Sequence, residues 1–385
     1  YLKSNYQAMG IPAAKENGNY FQEVPLEFPR VPEGSIMMGD TSYELGTDFL
    51  TFTPIEGNFE EIIYAGYGIE DNGYSDYKGL DVSGKLILIK SGEPVNEDGT
   101  FVISGSSKKS VWSNQSEAPG ARLQLARSKG AKGVLYYDPQ NYDRYKRYFD
   151  YLKENNKEKL EIRVEGEKAA LVLLSETMIK NIFPAITKTQ TPGSIPLPVS
   201  LEVKNNNKAV SSENVVAVIR GFENPDEYVV ISSHLDHIGV NDDGAINNGA
   251  DDDGSGTVAM LEIAEAFKQA AETGNRPKRS VVFLHVTGEE KGLLGSKYYT
   301  DNDPVFPLSQ TVANLNIDMI GRIDPKHEGN RNYVYLIGSD KLSAELHELS
   351  EGINSKYSQL ELDYTYNDEN DPNRFYYRSD HYNFV

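Results

Sequence analysis

The chain has 385 residues, more than one hydrophobic core usually organises, so two domains are expected. Acidic residues outnumber basic ones by 58 to 38, a net charge of −20, which argues against a nucleic-acid partner because phosphate binding needs basic surface. Cysteine is absent, so disulfides and thiolate zinc ligands are excluded and any metal must be held by histidine and carboxylates.

No run of about 18 apolar residues exists, so no transmembrane helix is expected. The opening YLKSNYQAMG has no basic n-region or apolar h-region, which fits a cytoplasmic protein or one whose targeting segment has been removed. Residues 1–48 are mixed: LKSNYQAMGI suits the end of a helix and FPRVPEGSIMMGD a loop. Residues 49–200 form a module of short strands, EEIIYAGYGI, GKLILIKSG, GVLYYD and AALVLLS, separated by turn signals and one helical stretch, GARLQLARSKGA. The charged run NYDRYKRYFDYLKENNKEK reads as a solvated helix or loop, and TPGSIPLPVS as the linker out. From about residue 201 short apolar strands alternate with helices: NVVAVIRG, YVVIS, SVVFLHV, ANLNID and NYVYLIG. This pattern predicts an α/β domain, a mainly parallel mixed sheet with helices on both faces. After YVVIS, the stretch TVAMLEIAEAFKQAAE carries Val258, Leu261, Ala264 and Phe267 at helical spacing.

The chemistry collects where strands end. In open α/β sheets, sites form outside the carboxyl ends of the strands. His234 follows YVVISS, and Asp236 beside it could accept the other ring N–H. Asp252 sits in GADDDGSG at a helix start, where three adjacent acids are more than a cap needs and a dication would relieve their repulsion. Glu289 and Glu290 follow SVVFLHVTG; if one ligates, its neighbour can act as general base. Asp318 ends NLNID, and His381 lies in YYRSDHYNF. A pair of dications held without cysteine requires two imidazoles and three acids, with one carboxylate bridging. His234, Asp252, Glu290, Asp318 and His381 supply that set. His237 is left open. His285 reads as a core histidine, and His327 and His347 as exposed. NDDGAINNG lacks the spacing of a calcium loop.

Together HLDH, GADDDGSG, TGEEKGLLGS, NIDMIGR and RSDHYNF resemble the co-catalytic dizinc aminopeptidases, a family that includes bacterial leucyl aminopeptidases, aminopeptidase Y and the glutamate carboxypeptidase branch. YAGYGI, DYKGLDVSGKLILIKSGEP and ARSKGAKGVLYY resemble an inserted protease-associated (PA) domain, without catalytic residues. The resemblance implies an N-terminal part of the peptidase domain at 1–48, the PA insertion at 49–200 and the catalytic domain at 201–385. It implies two Zn²⁺ ions, His234 and Asp318 on one and Glu290 and His381 on the other, with Asp252 bridging. Glu289 takes the general-base position and Asp236 that of the acid behind the first histidine. The implied activity is exopeptidase action on a peptide substrate by a hydroxide shared between the ions. The alternatives are a carboxypeptidase for acidic C-termini, with Arg322, Arg374 or Arg378 as its basic group, a receptor-like module without chemistry, and a two-metal phosphatase. A secreted or periplasmic location follows from the same resemblance. Family members also carry a tyrosine or similar donor near the scissile carbonyl; Tyr376 and Tyr377 are nearby in sequence. The chain stops four residues after His381, where family members continue with another strand, a specificity loop and a closing helix. A C-terminal segment is therefore expected to be missing. Oligomeric state is not legible.

Overall fold

Two hydrophobic cores, each built on a six-stranded sheet, bury most of the apolar runs noted above. The computed structural model describes residues 1–155, 159–163, 169–188 and 191–385. One unit comprises Tyr1–Glu27, Leu160–Arg163 and Ala209–Val385, and the other Phe28–Lys159 and Val164–Lys208. Residues 28–48, which the sequence groups with the first 27, therefore lie in the second unit, and a short piece around residue 161 returns to the first.

In the first unit the strands are β1 (Phe21–Phe28), β2 (Glu161–Ile162), β3 (Lys208–Ile219), β4 (Asn224–His234), β5 (Arg279–Val286) and β6 (Thr311–Asn316). Their order across the sheet is β2-β1-β3-β5-β4-β6. β4 runs parallel to β5 and to β6, whereas β3 is antiparallel to β5 and β1 to β2, so the sheet is mixed. Alternation explains the packing. Val215, Ala217, Ile219, Val281 and Phe283 face one side, against α1 (Leu2–Ala8) and α2 (Gly254–Glu272). Val216, Val218, Val282 and Leu284 face the other, against Tyr299 of α3 (Leu294–Asp301). Each central strand is buried on both faces and so reads as a continuous apolar run. On α2 the buried stripe is Met260, Leu261 and Ala264, with Phe267 packed beside it. Val258, expected on this stripe, lies a third of a turn off it and is half exposed.

NYVYLIG does not join this sheet. Tyr333–Tyr335 (β7) pairs in parallel with Glu361–Asp363 (β8) in a separate two-stranded ribbon. Its tyrosines pack round His327, which stacks on Tyr333 at 3.7 Å and bonds Asp363 at 2.9 Å. His327 is thus buried rather than exposed, because aromatic and carboxylate partners take up both its ring face and its nitrogen.

In the second unit the sheet order is Gly193–Ile195, Ile62–Tyr64, Leu86–Lys90, Gly133–Tyr137, Ala170–Leu174 and Phe49–Leu50. A second sheet is antiparallel throughout: Thr41–Glu44, Glu33–Met38, Val199–Lys204 and Ile55–Phe59. The Pro-rich TPGSIPLPVS is therefore not a linker. Its prolines flank strand ends, while Val199, Leu201 and Val203 alternate into the core. The charged run is a helix from Tyr142 to Glu154 with Phe149 buried; residues 156–158 of that run lie outside the described residues.

Candidate metal centre

Register puts three strand ends at one edge of the first unit's sheet. Ser232 pairs with Leu284 and with Asn316, and His234 with Val286. The loops that leave β4, β5 and β6 beyond those residues carry His234, Glu289–Glu290 and Asp318 to one place, outside the carboxyl ends of parallel strands.

The three consecutive aspartates ahead of α2 point in different directions. Asp251 Oδ1 accepts the backbone N–H of Gly321 at 2.7 Å, tying down the loop after Asp318. Asp253 caps α2: its Oδ1 accepts from Gly256 N–H at 3.0 Å and Met319 N–H at 3.2 Å, its Oδ2 from His234 N–H at 3.2 Å. One buried carboxylate thereby fastens the ends of β4, α2 and the β6 loop together. Gly256 is required there, because a Cβ would lie 2.5 Å from that carboxylate and 2.6 Å from the Ile317 carbonyl. Asp252, between them, is left to face the centre.

Asp252 Oδ1 is 3.0 Å from His234 Nε2, which in turn is 3.7 Å from Asp318 Oδ1. On the other side, Asp252 Oδ2 is 4.0 Å from His237 Nδ1, which is 2.7 Å from Glu290 Oε1. His234 Nε2, His237 Nδ1, Glu290 Oε1 and Asp318 Oδ1 are all buried and make no hydrogen bond. Short separations without hydrogen bonds mean that the donor atoms converge on shared points rather than on each other. Ligand atoms about 2.1 Å from a tetrahedral ion lie ~3.4 Å apart, and the separations here bracket that figure. The donor set therefore fits divalent ions of the zinc type. Asp253 also lies with His234 and Asp318, but both its oxygens are already occupied by backbone N–H groups.

The electrostatics agree. Burial favours the neutral ring of His234, yet Asp318, Glu289 and Asp253 outweigh it and hold its pKa at about 10. Burial pushes the Glu289 carboxyl up to about 8, and the charges of Asp380, Asp318 and Glu290 add to this. Burial likewise lifts Asp380 to about 7. A buried imidazole driven toward its charged form among carboxyls driven toward their neutral form marks an excess of negative charge, which a dication would offset.

Asp236 behaves differently from the sequence reading. The acceptor for His234 Nδ1 is its backbone carbonyl, at 3.0 Å; its carboxylate is 3.9 Å away and instead takes the backbone N–H of Glu289 at 3.1 Å. It thus steadies the ring through its main chain and the Glu289 segment through its side chain. His381 is half-buried, its Nε2 enclosed and unbonded, and lies in neither ligand group. Its segment is anchored elsewhere: Ser379 Oγ donates to Asp318 Oδ2 at 2.7 Å, Ser296 Oγ to Asp380 Oδ1 at 2.5 Å, and the His381 ring packs on Tyr376. The imidazole beside Glu290 is that of His237. His285, as expected, is a satisfied core histidine between Tyr6 Oη and Ser233 Oγ. Ser379 and Ser296 went unremarked because a lone serine gives no pattern; His237 was visible, three residues after His234 in HLDH.

Imidazoles and carboxylates gathered at the strand ends of an α/β sheet form a candidate metal centre. Residues 214–385, which hold the whole site, match Peptidase family M28. A probable glutamate carboxypeptidase of Arabidopsis thaliana is 36% identical over 106 residues, 28% of this chain and 14% of that protein. The probable leucine aminopeptidase 2 of Aspergillus oryzae is 27% identical over 291 residues, 74% of this chain and 46% of that protein. A solved zinc aminopeptidase from Bacillus subtilis is similar with 19% identity and a TM-score of 0.36, over 94% of this chain and 71% of that one. The chain spans less than half the length of these two curated relatives.

Proposed function

We propose that the protein is a zinc-dependent exopeptidase that releases residues from the N-termini of peptides. The observation that carries this reading is the pair of unbonded ligand groups meeting on the two oxygens of Asp252, with Glu289 beside them. Nitrogen and carboxylate oxygen are the donors zinc accepts where thiolate is absent. Two ions are assigned: His234, Asp252 and Asp318 would hold one, and Asp252 and Glu290 would contribute to the other. When bound, they supply Lewis acidity to the scissile carbonyl and make water a stronger acid. Glu289 takes the proton of the attacking water at its carboxylate and returns it to the leaving amine. Asp236 steadies both partners, holding the Glu289 backbone and the His234 ring.

Charge favours the amino end of the substrate. Among the described residues, no lysine or arginine ion pair is seen with Asp236, Asp252, Glu289, Glu290, Asp318 or Asp380; Arg322 sits exposed beside Asp251. Such surroundings attract an α-ammonium and repel a terminal carboxylate. The β-rich second unit is read as a PA domain on the sequence motifs given above, with no catalytic residue in it. The test is to offer the zinc-loaded protein a leucine anilide and an N-acylated glutamyl peptide. Release from the anilide is expected. Cleavage of the glutamyl peptide alone would turn the reading to a carboxypeptidase, and cleavage of neither, with metal bound, to a binding module.

A further inference from the structure

We propose that Asn214 is a positioning residue: its carboxamide closes the neck of the loop that carries Glu289 and so sets where that carboxylate stands; this rests on the exopeptidase reading above. Main-chain pairing between β3 and β5 runs as far as Val215 and His285. One step further along β3, Asn214 is fully buried beside the apolar run. Its Oδ1 accepts the backbone N–H of Thr287 at 3.0 Å, and its Nδ2 donates to the Gly295 carbonyl and to Gln22 Oε1, both at 2.9 Å. The side chain thus takes over where the ladder stops. A buried carboxamide is costly unless its donors and acceptor find partners, and here they do. An apolar residue of the same size would leave the Thr287 N–H and the Gly295 carbonyl without that partner.

The loop is pinched at those two residues. Gly295 N–H donates to the Thr287 carbonyl at 2.7 Å, and Leu294 N–H to that of Gly288 at 3.0 Å. The two sides of the neck lie so close that a Cβ on Gly295 would be 2.6 Å from the Thr287 nitrogen and would also meet the Asn214 oxygen. Asn214 grips one group from each side, and Ser212, two residues back on β3, bonds the Thr287 hydroxyl at 2.6 Å. Gln22 of β1 steadies the carboxamide and is itself bonded to Asp303. Glu289 stands at the tip, its N–H donating to Asp236 Oδ1 at 3.1 Å. Among the described residues, no hydrogen bond or ion pair holds the Glu289 carboxylate itself. Its place is therefore set by its main chain, and the main chain is held by the neck and by Asp236. A base must stand within hydrogen-bond reach of the proton it takes, so a slack neck costs turnover before it costs substrate binding.

The experiment compares, in the full chain, wild type, Asn214→Ala, Ser212→Ala, Glu289→Gln and the double variant Asn214→Ala with Glu289→Gln. Hydrogen–deuterium exchange of the metal-free proteins, followed by mass spectrometry, reads the loop without recourse to activity. The peptide covering Thr287–Gly295 is expected to exchange roughly tenfold faster in Asn214→Ala and about threefold faster in Ser212→Ala, while peptides from β4 keep their wild-type protection. With zinc bound and the leucine anilide as substrate, kcat is expected to fall roughly 30-fold in Asn214→Ala with KM little changed. In the Glu289→Gln background the same substitution should cost less than about threefold, because the group it positions is gone; a role in folding alone would repeat the full loss. Should Asn214→Ala not fold, Ser212→Ala decides: faster loop exchange with a lower kcat upholds the proposal, and wild-type values overturn it. The proposal is also overturned if the loop of folded Asn214→Ala exchanges at the wild-type rate, or if its loss of turnover is the same with and without Glu289; either result leaves the exopeptidase reading standing. A zinc-loaded wild type that cleaves neither the anilide nor the glutamyl peptide overturns both.

Discussion

Asp251, Asp252 and Asp253 are chemically identical and do three different things: one pins a loop, one faces the centre, one caps a helix and ties two strand ends to it. Removing the third should therefore cost stability before anything else. Asp253→Ala loses hydrogen bonds to three backbone N–H groups, and a loss of about 2–4 kcal/mol is expected in denaturant unfolding. A loss below about 0.5 kcal/mol would show that the cap does not hold these ends together. Glu289 has the opposite profile. Glu289→Gln should leave zinc content unchanged, since its carboxylate belongs to neither ligand group, while turnover of the leucine anilide falls by ~10²–10⁴. Unchanged turnover would remove Glu289 from the proton transfer.

At the scale of elements, β4, the loop and α2 form the working unit, and His285 of β5 links it to the N-terminal helix. His285 bonds Tyr6 of α1 through Nε2 and Ser233 of β4 through Nδ1. Burial depresses its pKa from 6.5 to about 3, so the fold holds it neutral while the unfolded chain binds a proton below about pH 6.5. Its contribution to stability is complete above pH 6.5 and is lost as pH falls from there toward 3, a loss on the order of a few kcal/mol. In metal-free protein, His285→Gln should flatten the acid limb of the stability curve across that window. An unchanged slope would mean that another group carries it.

The same elements show what a sequence can and cannot disclose. β4 and β5 were legible because strands buried on both faces read as unbroken apolar runs, and the site followed because acids and a histidine sit directly after them. The antiparallel entry of β3 was not legible, since direction leaves no mark on composition. Tyr333–Tyr335 was misassigned to the main sheet because an apolar run does not name its partner. The strand at Val199 was hidden by the prolines before it. The sequence reading places His381 with Glu290 and leaves His237 open; the imidazole 2.7 Å from Glu290 Oε1 is that of His237, a proximity that spacing along the chain does not disclose.

For the whole molecule, the gathered acids of the candidate metal centre predict that metal binding and stability are linked. Binding to the folded state alone raises stability by ~2.7 kcal/mol at a ligand concentration 100 times the Kd. Chelation should therefore lower the melting temperature and zinc restore it; a melting temperature indifferent to both would leave the buried charge unexplained. The most direct test is an anomalous-difference map from crystals of the zinc-loaded protein, recorded at the zinc edge. Two peaks flanking the Asp252 carboxylate, one beside His234 and Asp318 and one beside Glu290, are the predicted result. A map without peaks there, or with a single peak remote from Asp252, would contradict the account.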